Sequence, residues 1–158
     1  MYVGCHVSIA EGIENTPKLA HELGCEAMQI FTRSPQGGKV PEISEKTAKI
    51  FKENCEKYGI KNVYVHTPYF INLASANNRI YYGSISSIKT ELERASALDA
   101  KYVMTHLGSE KDLGEKESFK KIIEGLKKIS EEYNGKTKLL IENSAGAGKI
   151  IGADFEQI

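Results

Sequence analysis

No apolar run in this sequence approaches the roughly 18 residues that a bilayer-spanning helix needs, and its first residues carry neither the basic nor the apolar region of a secretory leader. Both absences lead to the expectation of a cytoplasmic protein with no membrane partner. Cysteine is scarce: Cys5, Cys25 and Cys55 are odd in number and form no C-x-x-C pair, which argues against a disulfide framework and against a zinc ribbon. They read as small core or near-core residues. Net charge is lacking too, because 21 basic residues balance 21 acidic ones. No overall field advertises a nucleic-acid partner, although balance over the whole chain leaves any one face free to be basic. No low-complexity stretch, linker or residue-level repeat divides the chain. What is present is ordinary globular usage, 41% hydrophobic and 27% charged over 158 residues. That is enough for one domain with a real core and too little for two comfortable ones.

Strand and helix patterns alternate along the chain. Tyr2 to Val7 reads as a short strand. Thr16-Pro17 reads as an N-cap followed by proline in the first turn of a helix, with Leu19, Ala20 and Leu23 on one face and Gly24 placed to end it. Ala27 to Phe31 is a second strand, and the proline and paired glycines of Thr32-Arg33-Ser34-Pro35-Gln36-Gly37-Gly38 make a loop. Ser44 caps the next helix, whose Ala48, Phe51, Cys55 and Tyr58 recur at helical spacing until Gly59. Val63, Tyr64 and Val65 form a third strand. It must end near His66, because Pro68 has no N–H for a ladder and turns Thr67 away from helical geometry. Ile85, Ile88, Leu92, Ala95 and Leu98 mark a helix, Lys101 to His106 a fourth strand, and Phe119 to Tyr133 a helix closed by Asn134-Gly135. Lys138 to Glu142 is a fifth strand, and Asp154 to Ile158 has the look of a helix start. Short apolar strands separated by helices are the signature of parallel βαβ units, so the fold class is α/β.

Polar residues recur where those strands end: His6, Thr32 with Arg33, His66, His106, and Glu142 with Asn143. In a parallel sheet all strand C-termini open on one face, where sites are built in barrels and open sheets alike. Three of the four histidines stand there, while His21 lies in the first helix and reads as a solvated or boundary residue. His66, His106 and Glu142 end three successive strands, so their side chains are expected to project into one space. Two imidazoles and a carboxylate are the ligand set of a catalytic zinc site with a position left open for water, and they suit iron or manganese equally. A hydrogen-bonded polar layer closing the end of the sheet is the alternative. Ligation of one ion requires their ligand atoms within about 5 Å of one another, since the bonds are about 2 Å each. Tyr69 and Phe70, adjacent aromatics on a loop, suggest a bound partner, or else merely cover the strand ends. Gly146, Gly148 and Gly152 match no phosphate-loop or dinucleotide spacing and read as a flexible loop.

With these residues in view, the sequence resembles the endonuclease IV family of metal-dependent apurinic/apyrimidinic endonucleases. The resemblance rests on Gly4-Cys5-His6-Val7-Ser8, Phe31-Thr32-Arg33-Ser34-Pro35, His66-Thr67-Pro68-Tyr69-Phe70-Ile71-Asn72-Leu73, Thr105-His106-Leu107-Gly108-Ser109 and Leu140-Ile141-Glu142-Asn143-Ser144-Ala145-Gly146. It implies a (β/α)8 TIM barrel, a cluster of three zinc ions, and a metal-activated water that attacks the phosphodiester 5′ to an abasic sugar in double-stranded DNA. His66 and His106 match two ligands of one zinc, and Glu142 matches the carboxylate that bridges it to a second and serves catalysis. Tyr69 and Phe70 match the loop that enters DNA at the lesion. Arg33 to Gln36 matches another DNA-contacting loop, in which the family often has an arginine where this chain has Gln36. His6, Asn72, Ser109 and Asn143 are candidates to line the site.

Eight βα units usually need about 250 residues, and five strands are present, so the chain is expected to be the N-terminal portion of such a barrel. At most one weak metal site is then expected in it, with self-association through unpaired sheet edges where the full-length family member is monomeric. A sugar isomerase or epimerase barrel with a divalent metal is the second reading, and a non-catalytic fragment the third.

Overall fold

The computed structural model describes residues 1–158. Five strands form one sheet, β1 (Gly4–His6), β2 (Ala27–Ile30), β3 (Asn62–His66), β4 (Tyr102–Thr105) and β5 (Lys138–Ile141), in the order β1-β2-β3-β4-β5 with every pair parallel. Four helices return the chain between them: α1 (Thr16–Glu22), α2 (Glu45–Lys57), α3 (Asn78–Ala97) and α4 (Glu115–Glu132). Each expected strand is present; four are shorter than expected by one to three residues, while β3 runs one residue beyond Val63–Val65 at each end.

The period of two along each strand sorts the side chains. Met28, Ile30, Val63, Val65 and Val103 are buried and join Phe51, Ile85, Ile88, Leu92 and Ile129 of the helices in one core cluster. Each such side chain contributes about 1.5 to 3 kcal/mol by leaving water. The alternate residues Gln29, Tyr64, Tyr102, Met104 and Leu140 lie on the other face, half-buried, with the Tyr64 and Tyr102 rings stacked 5.5 Å apart. Buried helices therefore cover one sheet face only, and β1 and β5 are its two edges.

Helix starts follow side-chain chemistry. Ser44 Oγ accepts from the Thr47 amide at 3.1 Å, the expected cap, and Asn77 Oδ1 accepts from Arg79 N at 2.9 Å to start α3. Thr16 is not the cap of α1. Its hydroxyl donates to the Ile13 carbonyl at 2.7 Å, because a 3₁₀ turn at Ile13–Asn15 leads directly into the helix. Gly135 is not the stop of α4 either. The helix ends at Glu132, Tyr133 leaves it extended, and a Cβ on Gly135 would lie 2.1 Å from the Tyr133 hydroxyl, so this glycine makes room for that ring. The Tyr133 hydroxyl in turn donates to the Leu92 carbonyl at 3.3 Å, tying α4 to α3. The segment Asp154 to Ile158 makes only a 3₁₀ turn at Phe155–Gln157. Cys5 is exposed and Cys25 and Cys55 are half-buried, so the expectation of core cysteines fails for Cys5, which stands on an edge strand. No helix is long and apolar enough to cross a membrane.

Candidate metal centre

His66 closes β3, while His106 and Glu142 directly follow β4 and β5. The ladder continues past the strands: Thr67 N donates to Met104 O at 2.9 Å and Glu142 N to Thr105 O at 3.0 Å. Beneath them the Thr67 hydroxyl donates to Thr105 Oγ1 at 3.0 Å, and the Thr105 hydroxyl donates to the His106 carbonyl at 3.0 Å. The backbones that carry the three side chains are thus pinned to one another.

The three ligand atoms lie within 4.8 Å of one another. His66 Nδ1 is 2.6 Å from the Thr67 carbonyl oxygen, which only accepts, so Nδ1 carries the hydrogen. Nε2 of the neutral ring then presents a lone pair to Glu142 Oε2 at 3.0 Å. Two acceptors at that distance repel unless a proton or a cation lies between them. His106 Nε2 is 3.9 Å from the same carboxylate oxygen. His66 is buried and the other two are half-buried, leaving the centre open on one side. Two imidazoles, one oriented by a backbone carbonyl, with a shared carboxylate fit a divalent transition ion.

Around the centre the sequence candidates divide. His6 Nδ1 is 2.8 Å from Gln29 Oε1, and its ring lies 4.5 Å from that of Phe31. Phe31 also packs on His66 at 5.4 Å and on Tyr69 at 5.3 Å. Phe31 is therefore the hub of the aromatic wall, a role its position at the end of the second strand signals only weakly. Tyr69 is 63% and Phe70 41% exposed, although Phe155, at 82%, exceeds both. Tyr69 N donates to Pro35 O at 3.0 Å, joining the two loops. Exposed Gln36 adjoins Gly37, where a Cβ would be 3.6 Å from the Phe70 ring.

Arg33 does not lie where a DNA-contacting arginine would. It is 8% exposed, its Nε is 3.1 Å from Glu91 Oε1, and its guanidinium sits 5.4 Å from the centre of the Phe70 ring. Glu91 is fully buried and accepts from the Thr32 hydroxyl at 2.5 Å. Arg94 donates through Nε to Thr32 Oγ1 at 2.7 Å and to the Thr32 and Pro41 carbonyls at 2.6 Å each. Burial pushes the Glu91 carboxyl up, against the Thr32 hydroxyl and then the two guanidiniums, and pulls Arg94 down against the pull of Glu91. Glu91 and Arg94 went unmarked in the sequence. Their only signal is charge beside the apolar stripe of α3, next to Ile88, Leu92 and Ala95.

Asn72, Ser109 and Asn143 build loops. Asn72 Oδ1 accepts from Ala74 N at 3.0 Å and Ser109 N at 3.2 Å. Asn143 Nδ2 donates to the Gly152 and Ala153 carbonyls at 2.9 and 3.1 Å. The glycine segment expected to be flexible is instead hydrogen-bonded: Ser144 N to Gly152 O at 2.7 Å and Ile151 N to Gly108 O at 3.0 Å. A cleft of about 400 Å³ runs between Phe70, Asn72, His106 and Ser109.

This order of parallel strands and helices, with its polar centre at the strand C-termini, matches a family model described as xylose isomerase-like TIM barrel over residues 17–158. The chain belongs to that family. Within this TIM-barrel family it is 38% identical over 160 residues to a protein named probable endonuclease 4 from Cenarchaeum symbiosum, and 35% identical over 158 residues to one so named from Halothermothrix orenii. Each alignment takes in 100% of this chain and 57% of the relative, so the chain spans little more than half of their length. The crystal structure of endonuclease IV from Thermus thermophilus superposes with a TM-score of 0.81 at 29% identity, covering 98% of this chain and 57% of that one. A D-tagatose 3-epimerase-like protein superposes with a TM-score of 0.72 at 23% identity, covering 98% and 58%, a likeness of fold alone.

Proposed function

We propose that this chain carries the first metal site and a DNA-entering loop of a cytoplasmic repair endonuclease that hydrolyses the phosphodiester 5′ to an abasic site. The observation that carries the reading is the convergence of His66, His106 and Glu142 beside two solvent-facing aromatics. The relatives named endonuclease 4 support it. His66, His106 and Glu142 would hold the ion, zinc by family resemblance, and a single site of the three is all these ligands support. When bound, the ion supplies positive charge to the phosphoryl oxygens and makes water more acidic.

The protein's own groups do the rest. The Thr67 carbonyl keeps the proton on His66 Nδ1 and so keeps Nε2 free. Glu142 turns Oε2 to both imidazoles, so its carboxylate would hold the ion against them and serve catalysis in that way. Tyr69 and Phe70 fill the gap left by the extruded sugar, as apolar wedges replace lost stacking, and Gln36 reaches DNA beside Phe70. Arg33 acts through Phe70 rather than on phosphate. A sugar isomerase needs a closed polar pocket, which a Tyr69 63% exposed does not make.

The test measures binding and nicking of a duplex holding one abasic site, against the intact duplex, with and without added zinc. Tighter, zinc-dependent binding of the abasic duplex is expected, and nicking, if seen, leaves a 3′-hydroxyl. Equal affinity for both duplexes at fixed salt would overturn the proposal.

A further inference from the structure

Cys5 lies in β1 and Cys25 in the turn that joins α1 to β2, with their sulfurs 3.6 Å apart and Cys25 donating to Cys5. Both thiols are free. The backbone on either side builds this approach. Glu26 N and Ala27 N both donate to the Val3 carbonyl, at 2.8 and 3.3 Å, and Cys25 N donates to Ala20 O at 2.9 Å. Gly4 lets the edge strand press in, since a Cβ there would sit 1.8 Å from the Ala27 carbonyl oxygen. The two sulfurs are therefore held by paired backbone, and no chance meeting of loops is involved.

We propose that Cys5 and Cys25 form a dithiol site that a small disulfide such as oxidised glutathione converts into an intramolecular disulfide. One cysteine thiolate attacks a glutathione sulfur, the glutathione S–S bond breaks, and one glutathione thiolate leaves. The second cysteine thiolate then attacks the protein sulfur of that mixed disulfide and releases the other glutathione. Two electrons and two protons pass to the glutathione pair, so the cysteines are oxidised and the small disulfide is reduced. The sulfurs have only to close from 3.6 Å to a bonded distance of about 2.05 Å. Cys5 is exposed and Cys25 half-buried, so the reagent enters at Cys5.

The third cysteine is an internal control. Cys55 is half-buried in α2 and its thiol is pushed up to about 12, by burial first and the Glu56 charge second, which leaves almost no thiolate to react. The Cys5 thiol is pushed up as well, by partial desolvation of its sulfur first and by the adjoining Cys25 second, so the exchange is followed over hours. Once formed, the bridge rivets an edge strand to the turn that enters its neighbour, one residue from His6. The inference does not rest on the nuclease reading.

The test incubates the 158-residue chain with excess oxidised glutathione, alkylates the remaining thiols, and maps the peptides by mass spectrometry. The expected product has lost the mass of two hydrogen atoms, yields a cross-linked Cys5–Cys25 peptide, and is alkylated at Cys55 alone. In Cys25→Ser the first adduct should be trapped as glutathione on Cys5, and if that variant fails to fold, the wild-type map decides. Three free thiols after prolonged incubation, stable glutathione adducts on wild type, or bridges to Cys55 or to a second chain would overturn the proposal.

Discussion

Gly108→Ala is expected to be among the most damaging single-methyl changes near the centre. Gly108 has φ +122°, and a Cβ there would meet Asn72 Oδ1 at 2.2 Å and the Asn72 Cα at 3.1 Å. Forcing alanine into that backbone region costs about 1 to 3 kcal/mol. The methyl group also evicts the Asn72 amide, which accepts from Ala74 N and Ser109 N, and two such bonds contribute about 1 kcal/mol each. The sum is about 3 to 5 kcal/mol, or a fall in Tm of about 10 °C for a domain of this size. Thermal unfolding followed by circular dichroism measures it. Asn72→Ala alone should cost only the two hydrogen bonds, about 2 kcal/mol. In the Asn72→Ala background Gly108→Ala then pays backbone strain but meets no amide, so the two changes should be coupled by about 1 to 2 kcal/mol. A Gly108→Ala cost under about 1 kcal/mol, or strict additivity in the double variant, would refute the reasoning.

Glu91→Gln should change the pH dependence of stability. Burial raises the carboxyl above its ordinary value of 4.5, so the folded protein holds this proton more tightly than the unfolded chain. That contribution is full below 4.5 and is lost as pH rises through the folded value. Urea unfolding should therefore show the Gln variant gaining on wild type between mildly acidic and neutral pH, and a constant difference would contradict the assignment. Phe70→Ala should weaken abasic-duplex binding by about 1 to 3 kcal/mol, the magnitude of a lost stacking contact, and unchanged affinity at fixed salt counts against the wedge. The unpaired edges at β1 and β5 should drive association at high protein concentration, which light scattering reads as a mass above that of one chain.

Much of this architecture could be read from the sequence because its signals are local. Period-two strands, the Ser44 cap and Gly59, with its positive φ of 70°, each act within a few residues. The trio was legible because strand ends repeat at regular intervals, so three polar residues with matching positions had to share a face. Arg33 was misplaced for the opposite reason. Its burial depends on Glu91, in a helix beyond the next strand, and loop sequence alone makes an arginine look solvent-facing. Gly135 misled similarly, since a glycine after a helix usually relieves a left-handed turn, whereas this one yields space to a tyrosine two residues away. The glycine-rich segment after β5 looked mobile because its order comes from hydrogen bonds to the loop after β4, a partner that composition does not reveal.

The strand order has a further consequence, for cooperativity. Every strand bonds only to its neighbours in sequence, so the sheet can open from either end one unit at a time, as linear stacks of repeats do. Amide hydrogens should exchange slowest in β2 to β4 and fastest in the two edge strands. The metal centre straddles that gradient, with His66 on the protected middle strand and Glu142 at the end of the fraying one. An ion held by all three residues would bind only the docked state of β5 and so stabilise that strand by mass action. The ion would thus be a clasp for the edge of the sheet as well as a reagent.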